Sequence, residues 1–234
     1  MKKLVLIGAS GIAMEIIDSV FAINDIRATW KILGILDDDR TKIGSQFYRE
    51  IKVLSSSAEI DRFIADDTFF LVAFCSVSNF LDRPAYIAHL EKLHRSIKFA
   101  TIIDPCALVS PSSEVKAGTY LAPGVIVDTY ASIGSHCIIL FNSVVSRFVE
   151  IGDYSFLSAS VNIVGRKRVG SACYIGVKST LNGNLSDYVM VSAGTLVRQD
   201  ITEHSVVSND VQQDVISYPN IDKMARMLRV INRS

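Results

Sequence analysis

Ile133-Gly134-Ser135-His136-Cys137-Ile138-Ile139-Leu140-Phe141-Asn142-Ser143-Val144-Val145-Ser146-Arg147-Phe148-Val149-Glu150-Ile151-Gly152-Asp153 carries an aliphatic side chain at every sixth place: Ile133, Ile139, Val145 and Ile151. The same phase runs outward to Ile103 on one side and Leu181 on the other, fourteen positions without a slip. Four residues later it resets, and Leu185, Val191 and Val197 continue it. Glycine often follows the aliphatic residue, as at Gly134, Gly152, Gly170 and Gly176. A small residue recurs four places after it, among them Thr119, Cys137, Ser143, Ser155, Cys173 and Ser179.

A helix places apolar residues every three to four positions and a half-buried strand every second, so a strict six fits neither. It fits a hexapeptide solenoid, short strands alternating with turns around a parallel β-helix. One aliphatic residue per hexapeptide points inward and the small residue shares the narrow interior. The glycines are expected at corners whose backbone angles a Cβ would make costly. Three hexapeptides close one triangular coil, so these seventeen predict between five and six coils, spaced at about 4.8 Å. The open coil ends require covering, a task for the flanking segments.

The 234 residues thus divide into 1–98, the solenoid at 99–202, and a C-terminal capping segment at 203–234. Net charge is zero, which removes the electrostatic footprint of a nucleic-acid binder. The 49% apolar content is that of a globular protein, and no run approaches the roughly 18 apolar residues of a membrane span. The start, Met1 to Gly8, leads into a glycine turn and a helical pattern, so it reads as a first strand and not as a signal peptide. The scattered cysteines, Cys75, Cys106, Cys137 and Cys173, fit core positions in a reducing cytoplasm, and no cysteine or histidine spacing predicts a metal.

Before the solenoid, strand patterns at Lys3–Ile7, Trp30–Leu36, Ile51–Leu54 and Phe69–Cys75 alternate with helical ones at Ile12–Phe21, Ala58–Ile64 and Arg83–His94. This predicts a small, mostly parallel α/β domain. Gly8-Ala9-Ser10-Gly11-Ile12-Ala13 is a strand-to-helix turn of the kind that offers backbone N–H groups to an anion, although Ser10 and Ala13 replace two glycines of the dinucleotide fingerprint and a tight turn needed only for packing explains it equally. The second strand ends in Asp37-Asp38-Asp39, where a carboxylate accepts from a ribose or nucleobase; a solvated loop explains the three aspartates equally. The ligand crevice is expected where Gly8, Ser10, Gly11, Asp37, Asp38 and Ser76 converge at the strand ends. A nicotinamide oxidoreductase would leave the solenoid without a role. After it, Ile221, Met224, Met227, Leu228 and Ile231 predict a short amphipathic helix.

Gly8-Ala9-Ser10-Gly11 with Ala13, Gly34-Ile35-Leu36-Asp37-Asp38, Asp104-Pro105, Ile151-Gly152-Asp153 and Ile175-Gly176, read with the unbroken hexapeptides, resemble the bacterial sialic-acid O-acetyltransferase and UDP-amino-sugar N-acetyltransferase family over residues 1 to about 200. The resemblance implies a Rossmann-like domain holding a nucleotide-linked sugar and a left-handed β-helix. It also implies a homotrimer, with acetyl-CoA or a longer acyl-CoA lying between adjacent subunits. By the same resemblance Gly165, Gly176 and Val177 border the thioester groove, with Ser192, Ala193 and Gly194 beyond. Arg166, Lys167, Arg168 and Lys178 form a basic cluster that meets CoA phosphates or is simply solvated.

The chain departs from the family at its chemistry. The family's general-base histidine and its acidic neighbour are Arg147 and Phe148 here, an upstream asparagine is Leu140, and a second histidine is Phe156. A guanidinium with a pKa above about 12 accepts no proton at neutral pH, which leaves the base unassigned. Of the four histidines His136 is the weak candidate. His89, His94 and His204 read as structural or solvated, while Asp128 and Asp153 are alternatives by charge at turn positions that favour Asp for backbone reasons. The apolar set Leu140, Phe141, Phe148 and Phe156 either packs between subunits or admits a longer acyl chain. The resemblance implies an acyl-CoA-dependent N- or O-acyltransferase of a nucleotide-linked amino sugar or related surface-glycan precursor, in the cytoplasm. The alternative is a silent relative that binds nucleotide sugar or pathway enzymes.

Overall fold

The computed structural model describes residues 1–208, 214–219 and 221–231. Strand and helix alternate through the first part: β1 (Lys2–Ile7), α1 (Gly11–Ile26), β2 (Trp30–Leu36), β3 (Gln46–Tyr48), β4 (Ile51–Ser55), a 3-10 helix (Ser57–Phe63), β5 (Thr68–Val72) and α2 (Arg83–Leu93). They form one sheet in the order β3-β4-β2-β1-β5, parallel except where β3 runs against β4. Apolar residues alternate across it. Leu4 and Leu6 meet Ile16, Ile17 and Val20 of α1, while Val5, Ile7, Phe70 and Val72 meet Ile87 and Leu90 of α2.

Three local expectations change. β3 has no run of its own that marks it as a strand; it exists because β4 offers an edge. The segment expected as a helix over Ala58–Ile64 is a 3-10 helix capped by Ser56, whose hydroxyl accepts from Ala58 N. β5 stops at Val72 instead of running to Cys75, because the Ala73 carbonyl is taken by the Ser10 hydroxyl at 2.5 Å and the chain turns toward the glycine turn.

The solenoid winds as a three-sided left-handed prism of parallel β-strands. Its first face holds Ile102–Ile103, Tyr120–Leu121, Ile138–Ile139, Phe156–Leu157, Tyr174–Ile175 and Met190–Val191, one strand per coil. The second runs from Leu108–Val109 to Leu196–Val197 and the third from Glu114–Val115 to Arg168–Val169, extended by bridges through Leu185 and Ile201. The six-residue phase is therefore the inward position of each strand, and from Leu121 to Val197 those side chains are essentially sealed from water. Ile103, Val109 and Val115, in the first coil, are only partly buried. The phase reset at Leu185 keeps that residue on the third face, paired with Val169.

The corner glycines have a different cause from the one expected. Gly134, Gly152, Gly170 and Gly176 do not sit at positive φ. A Cβ there would meet the backbone of the next coil at 2.5–2.6 Å, so close approach of coils requires them. The left-handed positions fall two residues later and are held mainly by other types, among them Tyr130, His136, Phe148, Tyr154 and Arg166. Their N–H groups donate to the coil before, as Tyr154 N does to Ser135 O and Arg166 N to Arg147 O, which offsets the cost of the conformation. The small interior residues also tie coils together. The hydroxyls of Thr119, Ser143, Ser155 and Ser179 donate to Gly134, Ser158, Gly170 and Ser192 carbonyls at 2.8–3.0 Å.

The α/β domain docks on the first face. Arg83, wholly buried, donates through Nη1 to His136 O at 2.6 Å. Phe80 packs on Tyr174, which stacks on Phe156. Ser19 of α1 donates to Asp104 at 2.6 Å and meets Tyr120 Oη at 3.0 Å. Beyond the coils Ser205–Ser208 adds a parallel strand beside Met190–Val191, and Asp214–Ser217 returns antiparallel to it, so regular structure resumes where periodicity lapses. α3 (Ile221–Ile231) follows, its Met224 buried against Phe80. The side chains of Met227, Leu228 and Ile231 lie outside the described residues.

In Gly152→Ala the added Cβ lies 2.6 Å from Ser171 N, and we expect a loss of about 1–3 kcal/mol. Gly11→Ala, whose Cβ meets nothing within 4 Å, should stay within about 1 kcal/mol of the native chain. Urea denaturation of both variants checks the contrast.

Candidate active site

The glycine turn and the aspartates meet in a cavity of about 320 Å³ at the carboxyl ends of β1 and β2. Ile7, Gly8, Ala9, Ser10, Asp37, Asp38 and Asp39 line it. Gly8 has φ +100, and a Cβ there would strike Phe74 at 2.7 Å, so only glycine serves. Ser10 caps α1, whose first N–H groups have no intrahelical acceptor and face an incoming anion. Gly11, the first helical residue, is exposed beside the cavity.

The aspartates divide their work. Asp37 accepts from Ala9 N at 2.6 Å and Asp39 N at 2.9 Å, which fixes the glycine turn, and Lys42 stands 3.6 Å away. Asp38 accepts from Ser56 Oγ and Ser57 N. Burial works against its charge, but these bonds outweigh it and hold its carboxyl below the usual range. Ser76 is not among the lining residues; its N–H is taken by Asn79. Phe74, Ser57 and Tyr86 complete the wall. Tyr86 sits on α2 and Phe74 beyond β5, so only the tertiary fold brings them here.

On the prism, the residues that resemblance assigns to the thioester separate onto two edges. Gly165 lies beside Arg147 on the edge between the second and third faces. Gly176, Val177, Ser192, Ala193 and Gly194 lie on the edge between the first and second, where Gly194 N donates to Val177 O at 2.7 Å. The basic cluster is divided likewise. Arg166 lies over the Phe148 ring at 4.6 Å, Arg168 lines a polar cavity with Asp187 and Asp200, and Lys178 is on the other edge.

Arg147 is exposed, and Phe148 stacks on Tyr130 at 5.4 Å. Phe156 is buried under Tyr174 inside the chain, so it belongs to the domain contact. Phe141, 44% exposed, lines a second cavity, while Leu140 packs against the core. His136 is 3% exposed, between the Phe99 and Tyr154 rings, with Nε2 3.3 Å from Glu91. Burial, and then the Arg83 charge, push its pKa down to about 4. Neutral and enclosed, it serves the contact between domain and prism. Asp128 and Asp153 accept backbone N–H groups of Thr129 and Ser135, His94 pairs with Asp61, and His204 stacks on Tyr188.

Known proteins match both halves of this arrangement. Residues 3–79 match the PglD N-terminal domain family. A UDP-3-O-acylglucosamine N-acyltransferase of Hahella chejuensis is 26% identical over 137 residues, 54% of this chain and 38% of its own length. The chain thus spans well under half the length of that curated relative. A crystal structure of a point mutant of perosamine N-acetyltransferase from Caulobacter crescentus, in complex with CoA and GDP-perosamine, aligns with TM-score 0.79 and 20% identity over 93% of this chain and 98% of its own. The acetyltransferase domain of PglB from Neisseria gonorrhoeae, in complex with acetyl coenzyme A, aligns with TM-score 0.78 and 20% identity over 92% and 99%. The fold is the one these two structures share, an α/β domain followed by a hexapeptide-repeat β-helix. Among the described residues no group of histidine, cysteine and acidic side chains is arranged to hold a metal ion, and no helix is long and apolar enough to cross a membrane.

The His136 environment has a consequence for stability. Its folded pKa, about 4, lies below the ordinary 6.5, so the unfolded chain binds the extra proton between those values. Its contribution to stability is complete above about pH 6.5 and lost as pH falls toward 4. His136→Asn, which suits the left-handed backbone there, should flatten that fall. Unfolding midpoints across pH 4–7 measure it.

Proposed function

We propose that the chain is an acyl-CoA-dependent acyltransferase that acylates the amine, or a hydroxyl, of a nucleotide-linked amino sugar or related surface-glycan precursor. The observation that carries this reading is the joining of two parts. An anion-ready glycine turn flanked by Asp37 and Asp38 sits on a domain docked through Arg83, Phe80 and Ser19 to one face of a hexapeptide prism. The nucleotide occupies the cavity of Gly8, Ser10, Asp37 and Asp38, with its phosphates toward Gly11 and the α1 N-terminus.

Acyl-CoA enters as the second substrate. Gly165 and the Gly176, Val177, Ala193 and Gly194 group lie on different edges of one prism, so a single groove bordered by both is formed between neighbouring copies, as in a homotrimer. The exposed Leu108, Ile126, Phe141, Phe148 and Val177 supply apolar surface to that contact. A backbone N–H of the corner meets the oxyanion. Holding amine and thioester together contributes more to rate than a base does, whose help is typically about 10²–10⁴. Replacement of the family base position by Arg147 is therefore compatible with turnover. Four free thiols suit a cytoplasmic setting, although only Cys137 and Cys173 take the core positions expected of all four, Cys75 being half-buried and Cys106 exposed.

The test is thiol release by the full chain from acetyl-CoA and longer acyl-CoAs, offered with a panel of nucleotide-linked amino sugars. Release that depends on the amino sugar is the expected result. No release with any pairing, while nucleotide sugar still binds, would overturn the proposal in favour of a silent binding relative. In that case Arg147→His with Phe148→Glu should restore turnover.

A further inference from the structure

A second cavity, of about 490 Å³, follows the nucleotide cavity along α1. Glu15, Asp18 and Ser19 line it from the helix, and Asp104, Tyr120 and Phe141 from the first coils of the prism. Gly11, Glu15, Asp18 and Ala22 fall on one stripe of α1, since residues three and four apart share a face. One turn, about 6 Å along the axis, separates Gly11 from Glu15. No atom stands within 4 Å of the place a Gly11 Cβ would occupy, so the stripe begins open at the glycine turn. A sugar whose diphosphate rests on that turn is carried along α1 toward Glu15.

Most polar groups of this wall already have partners. Ser19 is shared by Asp104 and Tyr120, and the other Asp104 oxygen accepts from Cys106 N at 2.8 Å. Asp18 accepts from Tyr48 Oη and from Arg49 Nε and Nη2. Tyr120 is kept protonated by burial. Glu15 differs. Its Oε2 is closed to solvent and has no partner among the described residues, and burial holds its carboxyl above the usual carboxylate range. The charged and titratable groups around the cavity are Asp18, Asp104, Tyr120 and Cys106, with Arg49 drawn off by Asp18. Among the described residues no lysine or arginine lines the cavity beside Glu15.

Resting on the acyltransferase reading above, we propose that Glu15 is the catalytic base, taking the proton of the acceptor amine or hydroxyl in place of the histidine that Arg147 replaces. The neutral amine nitrogen forms a C–N bond to the thioester carbonyl and its N–H proton passes to the Glu15 carboxylate. As the tetrahedral centre collapses, the C–S bond breaks with its electron pair going to sulfur. Glu15 returns the proton to the departing thiolate, giving amide, free thiol and an ionised Glu15.

Glu15→Gln and Glu15→Asp in the full chain test the assignment, with thiol release, nucleotide-sugar affinity by calorimetry and thermal unfolding measured for each. We expect Glu15→Gln to lower kcat by about 10²–10⁴, with nucleotide-sugar Kd within about threefold of native. The native kcat/KM should fall on the acid side as Glu15 protonates, that limb should vanish in Glu15→Gln, and Glu15→Asp should recover part of the rate. A Glu15→Gln kcat close to native, an unchanged acid limb, or affinity lost in step with rate would overturn the assignment. Absence of thiol release from the native chain itself would remove the acyltransferase reading and this one with it; release by native and Glu15→Gln at comparable rates removes only this one.

Discussion

Backbone hydrogen bonding between successive coils is the constraint on which the rest of the molecule depends. Each strand of the prism has only two paired residues, so no coil is stable alone; stability comes from repetition at the spacing of paired strands. That spacing dictates side chains as well as backbone. Where coils approach at the corners, glycine is needed for room, as at Gly134 and Gly152. Inside, hydroxyls such as Thr119 and Ser155 reach carbonyls of the next coil. Outside, equivalent corner residues stand above one another and form ladders: Tyr130 on Phe148, His136 on Tyr154, Tyr188 on His204, with ring centroids 5.3–5.5 Å apart.

The α/β domain takes its position from this lattice. Two aromatic or polar anchors and one buried cation fasten it to the first face. Arg83 is costly to bury, since its Nε and Nη2 have no partner among the described residues. What it gains is a strong, charge-assisted bond to the His136 carbonyl. The Ser19, Asp104 and Tyr120 network adds a directional contact that a purely apolar interface would lack. These contacts set the angle of α1 against the prism, and that angle makes a cavity beyond the glycine turn.

Much of this was legible before any coordinates. A period of six has one structural solution, and each inward residue it names from Leu121 to Val197 is buried. The glycine turn and Asp37 were legible too, because backbone geometry at a strand-to-helix turn is local. What the sequence hides is whatever two distant segments decide together. Phe156 reads as an exposed face of a coil but lies beneath Tyr174 and Phe80. Gly152 reads as a corner residue of unusual φ, but its reason is Ser171, a neighbour in the next coil. Ser76 reads as a strand-end polar group, but Asn79 turns it aside. Glu15, an ordinary acidic residue on a helix by sequence, becomes distinctive only when Phe141 and Tyr120 close around it.

On the acyltransferase reading, the presence of Arg147 on a prism edge and of the Glu15 carboxylate on α1 has a common physical logic. An edge residue of a hexapeptide coil is held in the ladder, and the ladder here is occupied: Phe148 is stacked below Arg166 and beside Tyr130. The cation in this ladder is Arg166, whose guanidinium lies on the Phe148 ring, and exposed Arg147 on the same edge adds a second guanidinium, a donor group and not a proton acceptor. Proton transfer asks only that an acceptor reach the reacting atom and that its proton affinity match the task. A carboxylate half-withdrawn from water answers the second requirement, and a helix beginning at the glycine turn answers the first. On that reading the proton transfer that this edge cannot host is available from the α/β domain.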